Sequence, residues 1–211
     1  MTHSNIPCRV LVGVTGASGI IYGKALLKEL LSLEVEIHLI VSAAALIVMR
    51  EELGTSFVGG KFDLETFLGS HVPPGKVVMY DDTDLAAAPA SGTFRSLGMV
   101  ICPCSMKTLS TLAAGTGSTL ITRAADACLK ERRRLVVVPR ETPLNLIHLR
   151  SMVTLTEAGA IILPAMPGFY HRPQTIEDLV RHVVLKILDV MQIPHQIPYR
   201  WKDNVAPVDR E

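Results

Sequence analysis

The stretch VLVGVTGASGIIYG, residues 10–23, decides the fold. VLVGV is a continuous apolar run, the mark of a strand buried on both faces. It runs straight into Thr15-Gly16-Ala17-Ser18-Gly19, a turn of small residues, and then into a helical segment. A helix start presents unpaired backbone N–H groups and the positive end of the macrodipole. The glycines let a ligand approach the backbone, and Ser18 adds a hydroxyl. The junction reads as a cradle for a phosphorylated small molecule.

The same alternation continues along the chain. Strands are expected at 9–14, 36–41, 76–80, 99–102, 135–138 and 160–163, and helices at 20–33, 43–53, 105–114, 120–132, 144–158 and 175–191. Most of the strands are continuous apolar runs, the pattern of a parallel sheet covered on both faces. The β-α-β-α order with short connections predicts a single-domain α/β fold: a three-layer, doubly wound, Rossmann-like (flavodoxin-like) parallel sheet. Residues 54–90 are the least regular and are expected to hold an insertion with a short helix. The domain is expected over 1–194. The tail 195–211 is polar, contains prolines and carries the single tryptophan, Trp201. It is expected to run over the surface, with Trp201 on a neighbouring subunit or on its own domain.

Composition narrows the function. With 211 residues and 48% hydrophobic content, the chain suits one domain with a full core. Charged residues make up 19% and the net charge is +1, which argues against a nucleic-acid surface. Aromatics are only 5%, too few for base-stacking platforms. The N-terminal MTHSNIP lacks the layout of a signal peptide, and the most apolar stretch, 38–49, is too short to span a bilayer. A soluble, cytoplasmic protein is expected, with no membrane partner. Cys102 and Cys104 are one residue apart, which is neither a redox nor a zinc spacing. With Cys8 and Cys128 they read as buried free thiols, and no metal site is expected.

In open α/β sheets ligands sit beyond the carboxyl ends of the strands. The first loop lacks the full G-x-G-x-x-G pattern, with no third glycine. After the second strand comes Ser42, where a dinucleotide site would carry an acid for the ribose. Its neutrality suits a mononucleotide or a flavin phosphate, and it is also a natural helix N-cap. After the fourth strand, Ser105, Met106, Lys107 and Thr108 crowd a second helix start, as caps or as ligand contacts. After the fifth, Thr142 reads as an N-cap with Pro143 at the first helical position. Arg140 and Glu141 precede it and are not needed for folding; an Arg there can clamp a phosphate. After the sixth, PAMPGFYHRP offers two aromatics, a His and an Arg. The basic run at 130–134 reads as a solvated helix end, although Arg123 and Lys130 share one helix face and can grip one phosphate together.

Taken together, VTGASG, PCSMKTLS, the RAAD…LKERR segment, VPRETP and PAMPGFYHRPQTIEDLV resemble the flavin prenyltransferase (UbiX) family, over nearly the whole chain. The resemblance implies metal-independent transfer of a dimethylallyl group from dimethylallyl phosphate or diphosphate to N5 and C6 of reduced FMN. The product, prenylated FMN, would serve a UbiD-type decarboxylase, and the enzyme would be a homododecamer. It implies FMN contacts at Gly16, Ala17, Ser18, Ser42, Ser105, Met106, Lys107, Thr108 and Arg140. Prenyl phosphate contacts fall at Ser91, Gly92, Arg123, Lys130, Tyr170, Lys186 and Trp201. Ser18, Glu52 and Glu141 fall near the reacting centre. Two positions depart from the family: Lys186 stands where an Arg is common, and residues 116–119 lack the asparagines often found before the RAAD helix.

Three other readings compete. An FMN-dependent cysteine decarboxylase shares the fold, but its PASANT stretch is here PASGT, residues 89–93, without the asparagine. A non-catalytic flavin carrier would have no need of Glu52, Arg123 and Lys130. An NAD dehydrogenase is disfavoured by Ser42 and the absent third glycine.

Overall fold

The computed structural model describes residues 8–55, 57 and 61–196. Trp201 and most of the predicted tail lie outside them. Six parallel strands form one sheet in the order β3-β2-β1-β4-β5-β6, which is the Rossmann order. They are β1 (Arg9–Val14), β2 (Glu36–Val41), β3 (Val77–Asp81), β4 (Gly98–Cys104), β5 (Arg134–Pro139) and β6 (Ile161–Ile162). The central strands are buried on both faces, as their apolar runs require. Along β1 the side chains alternate: Val10, Val12 and Val14 enter one core and Leu11 the other.

The first core is closed by α1 (Ile20–Leu31), α2 (Ala43–Leu53), α3 (Leu64–Leu68) and α7 (Ile176–Met191), the second by α4 (Met106–Ala113), α5 (Leu120–Lys130) and α6 (Leu146–Glu157). The predicted three-layer architecture is therefore the observed one. The irregular region does hold a short helix, α3, capped by Asp63.

Boundaries move where local chemistry decides them. The predicted cap of α6 is corrected: Thr142 does not cap it and Pro143 is not its first residue. The helix begins three residues later, because Asn145 accepts from His148 N at 2.9 Å and His148 answers with its ring, closing a capping box. That shift leaves residues 140–145 as a loop at the carboxyl edge of the sheet. Among the described residues no helix is long and apolar enough to cross a membrane.

Candidate active site

The winding of the chain reverses between β1 and β4, and there a crevice opens beyond the strand ends. Thr15 ties its two walls together. Its hydroxyl donates to Pro103 O at 3.0 Å and accepts from Ser105 N at 2.7 Å. The turn after β1 is thereby fixed against the start of α4. Gly16 lies so close to α2 that a Cβ on it would sit 2.5 Å from that of Ala44. Ala17 is buried and Ser18 is exposed at the rim. Gly19 takes a φ of 99°, which glycine adopts without strain.

The N-terminus of α1 is not an open phosphate cradle, and this corrects the first reading of the turn. The Glu52 carboxylate accepts from Gly19 N at 2.8 and 3.0 Å and from Ile20 N at 2.9 Å. An anion already satisfies the donors that a phosphate would use. Glu52 is thus a cap for α1 supplied from α2, and its carboxylate is fixed beside Ser18.

The other helix starts keep the predicted hydroxyls. Ser42 caps α2 through Ala45 N, and Ser105 caps α4 through Thr108 N. The Ser105 and Thr108 hydroxyls also meet at 3.0 Å. Both remain partly exposed towards the crevice. Met106 is corrected: its side chain is a core residue, leaving only its backbone for a ligand. Lys107 is exposed. Arg140 reaches over from the end of β5, its Nε donating to Ser18 O at 2.9 Å. Glu141 turns its carboxylate to the Thr142 N–H at 3.0 Å. Neutral hydroxyls, helix starts, one guanidinium and the Glu52 and Glu141 carboxylates line this edge; the hydroxyls, helix starts and guanidinium suit an anionic mononucleotide with an uncharged ring system.

A second group gathers at the opposite, amino edge of the sheet. Ser91, Gly92, Thr93, Arg95, Lys130, Glu131 and Arg133 surround a shallow pocket of about 500 Å³. Lys130 Nζ pairs with Glu131 at 2.6 Å directly over Gly92, where a Cβ would meet the ammonium at 2.5 Å. Arg133 is no solvated helix end: its guanidinium donates to the carbonyls of Gly92 and Phe94 and holds that turn in place. Arg123 is exposed on the same face of α5, about 10 Å back along the helix from Lys130.

The third group lies on the flank. Tyr170, in the loop before α7, meets His182 at 2.8 Å, and Lys186 follows one turn further along α7. The residues singled out in the sequence thus fall into three neighbourhoods, which a single chain does not bring together. The Ser91–Gly92 turn precedes β4 and Arg140 follows β5, so about 20 Å of strand separates them.

The cysteines take no part. Cys102, Cys104 and Cys128 are buried and free. Burial pushes the Cys128 thiol up to about 12 and raises those of Cys102 and Cys104 as well. None is poised as a nucleophile.

A family model described as Flavoprotein matches residues 2–188. The flavin prenyltransferase UbiX of Alkalihalophilus pseudofirmus is 48% identical over 190 residues, 90% of this chain and 94% of that relative. The chain belongs to the UbiX-type flavoprotein family. A solved structure described as a dodecameric FMN-dependent UbiX-like decarboxylase from Escherichia coli O157:H7 matches with a TM-score of 0.79 at 40% identity, over 92% of this chain and 98% of that one. A structure of AnUbiX (PadA1) in complex with FMN and dimethylallyl pyrophosphate matches with a TM-score of 0.77 at 37% identity, over 92% and 100%.

Against this UbiX-type background, four residues stand out that the sequence reading passed over. Thr15 lay inside the quoted motif but read only as part of a turn of small residues. Gly23 supplies the close helix–strand approach that the missing third glycine usually gives. A Cβ there would sit 2.6 Å from Cys102 O. Arg133 was hidden in a basic run. His182 carried no signal at all, being twelve residues from the tyrosine it touches.

Proposed function

We propose that this chain is a flavin prenyltransferase that joins a dimethylallyl group to N5 and C6 of reduced FMN, giving prenylated FMN for a UbiD-type decarboxylase. The observation that carries the reading is the meeting of Arg140 with Ser18 at the switch-point crevice, among hydroxyls and helix starts that suit a flavin mononucleotide. In this reading Gly16, Ala17, Ser18, Ser42, the Ser105–Thr108 segment and Arg140 hold FMN. Glu52 and Glu141 lie at the rim beside the reacting edge.

The chemistry requires the C–O bond of the allyl phosphate to break as the phosphate leaves with the electron pair. The flavin gives up hydrogen from N5 and from C6 as those atoms bond to carbon. One of the two protons ends on the former alkene carbon and the other on phosphate, so the flavin gains one C5H8 unit. Charge grows on the departing phosphate, and Arg123, Lys130, Tyr170 and Lys186 are the groups assigned to stabilise it. Lys186 supplies charge without the fork of an arginine, so it grips one phosphoryl group as a point charge.

Of the residues assigned to the prenyl phosphate, Ser91, Gly92 and Lys130 lie at the edge of the sheet opposite the FMN set and Tyr170 and Lys186 on the flank, so in this reading the complete pocket forms between copies of this chain. One face is prepared for such contacts. On α6, Leu146, Ile147, Leu149 and Val153 are 58, 67, 45 and 56% exposed, a stripe that isolated chains rarely leave in water. The dodecameric relative supports a homo-oligomer of the same kind.

The test is anaerobic incubation with reduced FMN and dimethylallyl phosphate, followed by the mass of the flavin. A gain of C5H8 is expected; no gain with either the mono- or the diphosphate overturns the reading. Sharing of the site has its own test. Arg140→Ala and Lys130→Met are each expected to be impaired, yet oligomers mixed from the two should regain roughly a quarter of wild-type activity through sites that are intact on both sides. Mixing without recovery would place the whole site within one chain.

A further inference from the structure

Tyr170 is the hydroxyl on the flank that the proposed function assigns to the prenyl phosphate, and its surroundings specify more than its position. Its oxygen lies 2.8 Å from His182 Nε2. On the other side of the same imidazole, Nδ1 accepts from the Gly168 backbone N–H at 3.3 Å. A backbone amide can only donate, so Nδ1 must present a lone pair and the hydrogen of the neutral ring resides on Nε2. Nε2–H then donates to the tyrosine oxygen. The phenol is an acceptor towards His182, and its own hydrogen is turned away from the imidazole.

The ring that enforces this is itself held. His171 stacks on His182 with centroids 4.7 Å apart and planes within 4°. Tyr170 meets both rings edge-on. Gly168 leaves the necessary space: a Cβ there would come within 2.6 Å of the Tyr170 ring and 3.4 Å of His182. Both His171 nitrogens are buried and have no hydrogen-bond partner among the described residues, which makes that ring a packing platform. Burial, then His171, then Lys186 hold the His182 imidazolium below its ordinary range, favouring the neutral ring at neutral pH.

We propose that His182 is a positioning residue for the prenyl phosphate: by fixing its own tautomer through Gly168, it directs the hydroxyl hydrogen of Tyr170 onto a phosphate oxygen. The proposal rests on the reading of Tyr170 as a phosphate ligand. A phenol free to rotate would instead spend part of its time donating elsewhere.

The experiment combines kinetics with nitrogen NMR on the intact oligomer. His182→Leu should raise KM for dimethylallyl phosphate about threefold to tenfold, with FMN affinity and melting temperature near wild type. His182→Gln keeps an amide donor at the Nε2 position and should restore most of the loss. In a Tyr170→Phe background, His182→Leu should cost nothing further, because the group it positions is gone. The imidazole nitrogen shifts should show hydrogen on Nε2. An equal cost of His182→Leu in both backgrounds, or hydrogen on Nδ1, overturns the proposal. Failure of the wild-type protein to prenylate FMN is a different outcome, which removes the underlying reading and is recognised before any variant is made.

Discussion

Replacing Lys130 by Met is expected to lower kcat/KM for dimethylallyl phosphate by about 10²–10³-fold, the usual cost of removing one group aimed at developing charge. Met keeps most of the side-chain stem and removes only the ammonium. That ammonium lies over Gly92, a position without a side chain, and its present partner is Glu131 at 2.6 Å. The pair is exposed, so it is worth no more than about 1 kcal/mol. In the proposed site a phosphate carrying two charges would displace the carboxylate at little expense and gain charge as its C–O bond lengthens. The loss in the variant should therefore fall mostly on kcat rather than on KM. FMN affinity, which the proposed site places at the opposite edge of the sheet, should stay within about threefold of wild type. Steady-state rates by flavin mass, with FMN binding followed by fluorescence quenching, check both halves. A parallel loss of FMN affinity would show that Lys130 serves the nucleotide or the fold.

The fold was legible because its strongest signals are long and local. Continuous apolar runs gave β1 and β2 their ends, and Ser42 marked the start of α2. The caps that misled were those with a competitor nearby. Thr142-Pro143 has the chemistry of a helix start, but Asn145 and His148 close a reciprocal pair that it cannot offer. At the candidate site, the motifs carried residue types but not relations across space. Nothing near Gly19 announces that a carboxylate from position 52 will take its N–H. Met106 sits in a polar motif, yet faces inward because α4 packs that side against β4 and β5. The division of the proposed site between two edges was readable in principle. Residues 91–92 precede a strand and Lys130 ends the helix before another, so both belong at the amino edge. Only the assumption that every ligand residue follows a strand concealed it.

Gly23→Ala should destabilise the protein, although alanine is the better helix former by about 1 kcal/mol. Gly23 sits in the second turn of α1 with ordinary helical backbone, so its need is space rather than conformation. A Cβ would come 2.6 Å from the carbonyl oxygen of Cys102 and 3.4 Å from Pro103. That carbonyl lies in a fully buried strand, in the irregular stretch between the paired Ile101 and Cys104, and the next residue is held by Thr15 through its carbonyl, so it has little room to retreat. The helix must move instead, and α1 is packed against α7 as well as against the sheet. Overpacking of this kind costs about 1–3 kcal/mol, and at this chain length each kcal/mol lowers Tm by about 2–4 °C. The displacement also moves Gly19 and Ile20, whose N–H groups hold Glu52 beside Ser18, so FMN affinity should fall together with stability. Gly54→Ala is the control. It has a φ of 62° and nothing within 4 Å of a Cβ, so it tests left-handed backbone strain alone, a cost of about 1 kcal/mol. Calorimetry and FMN titration on both variants separate the two causes. Gly54→Ala should lose a little stability with FMN binding intact, and Gly23→Ala should lose both. A Gly23→Ala protein that melts at the wild-type temperature and binds FMN normally would mean that α1 does not need its close approach to β4.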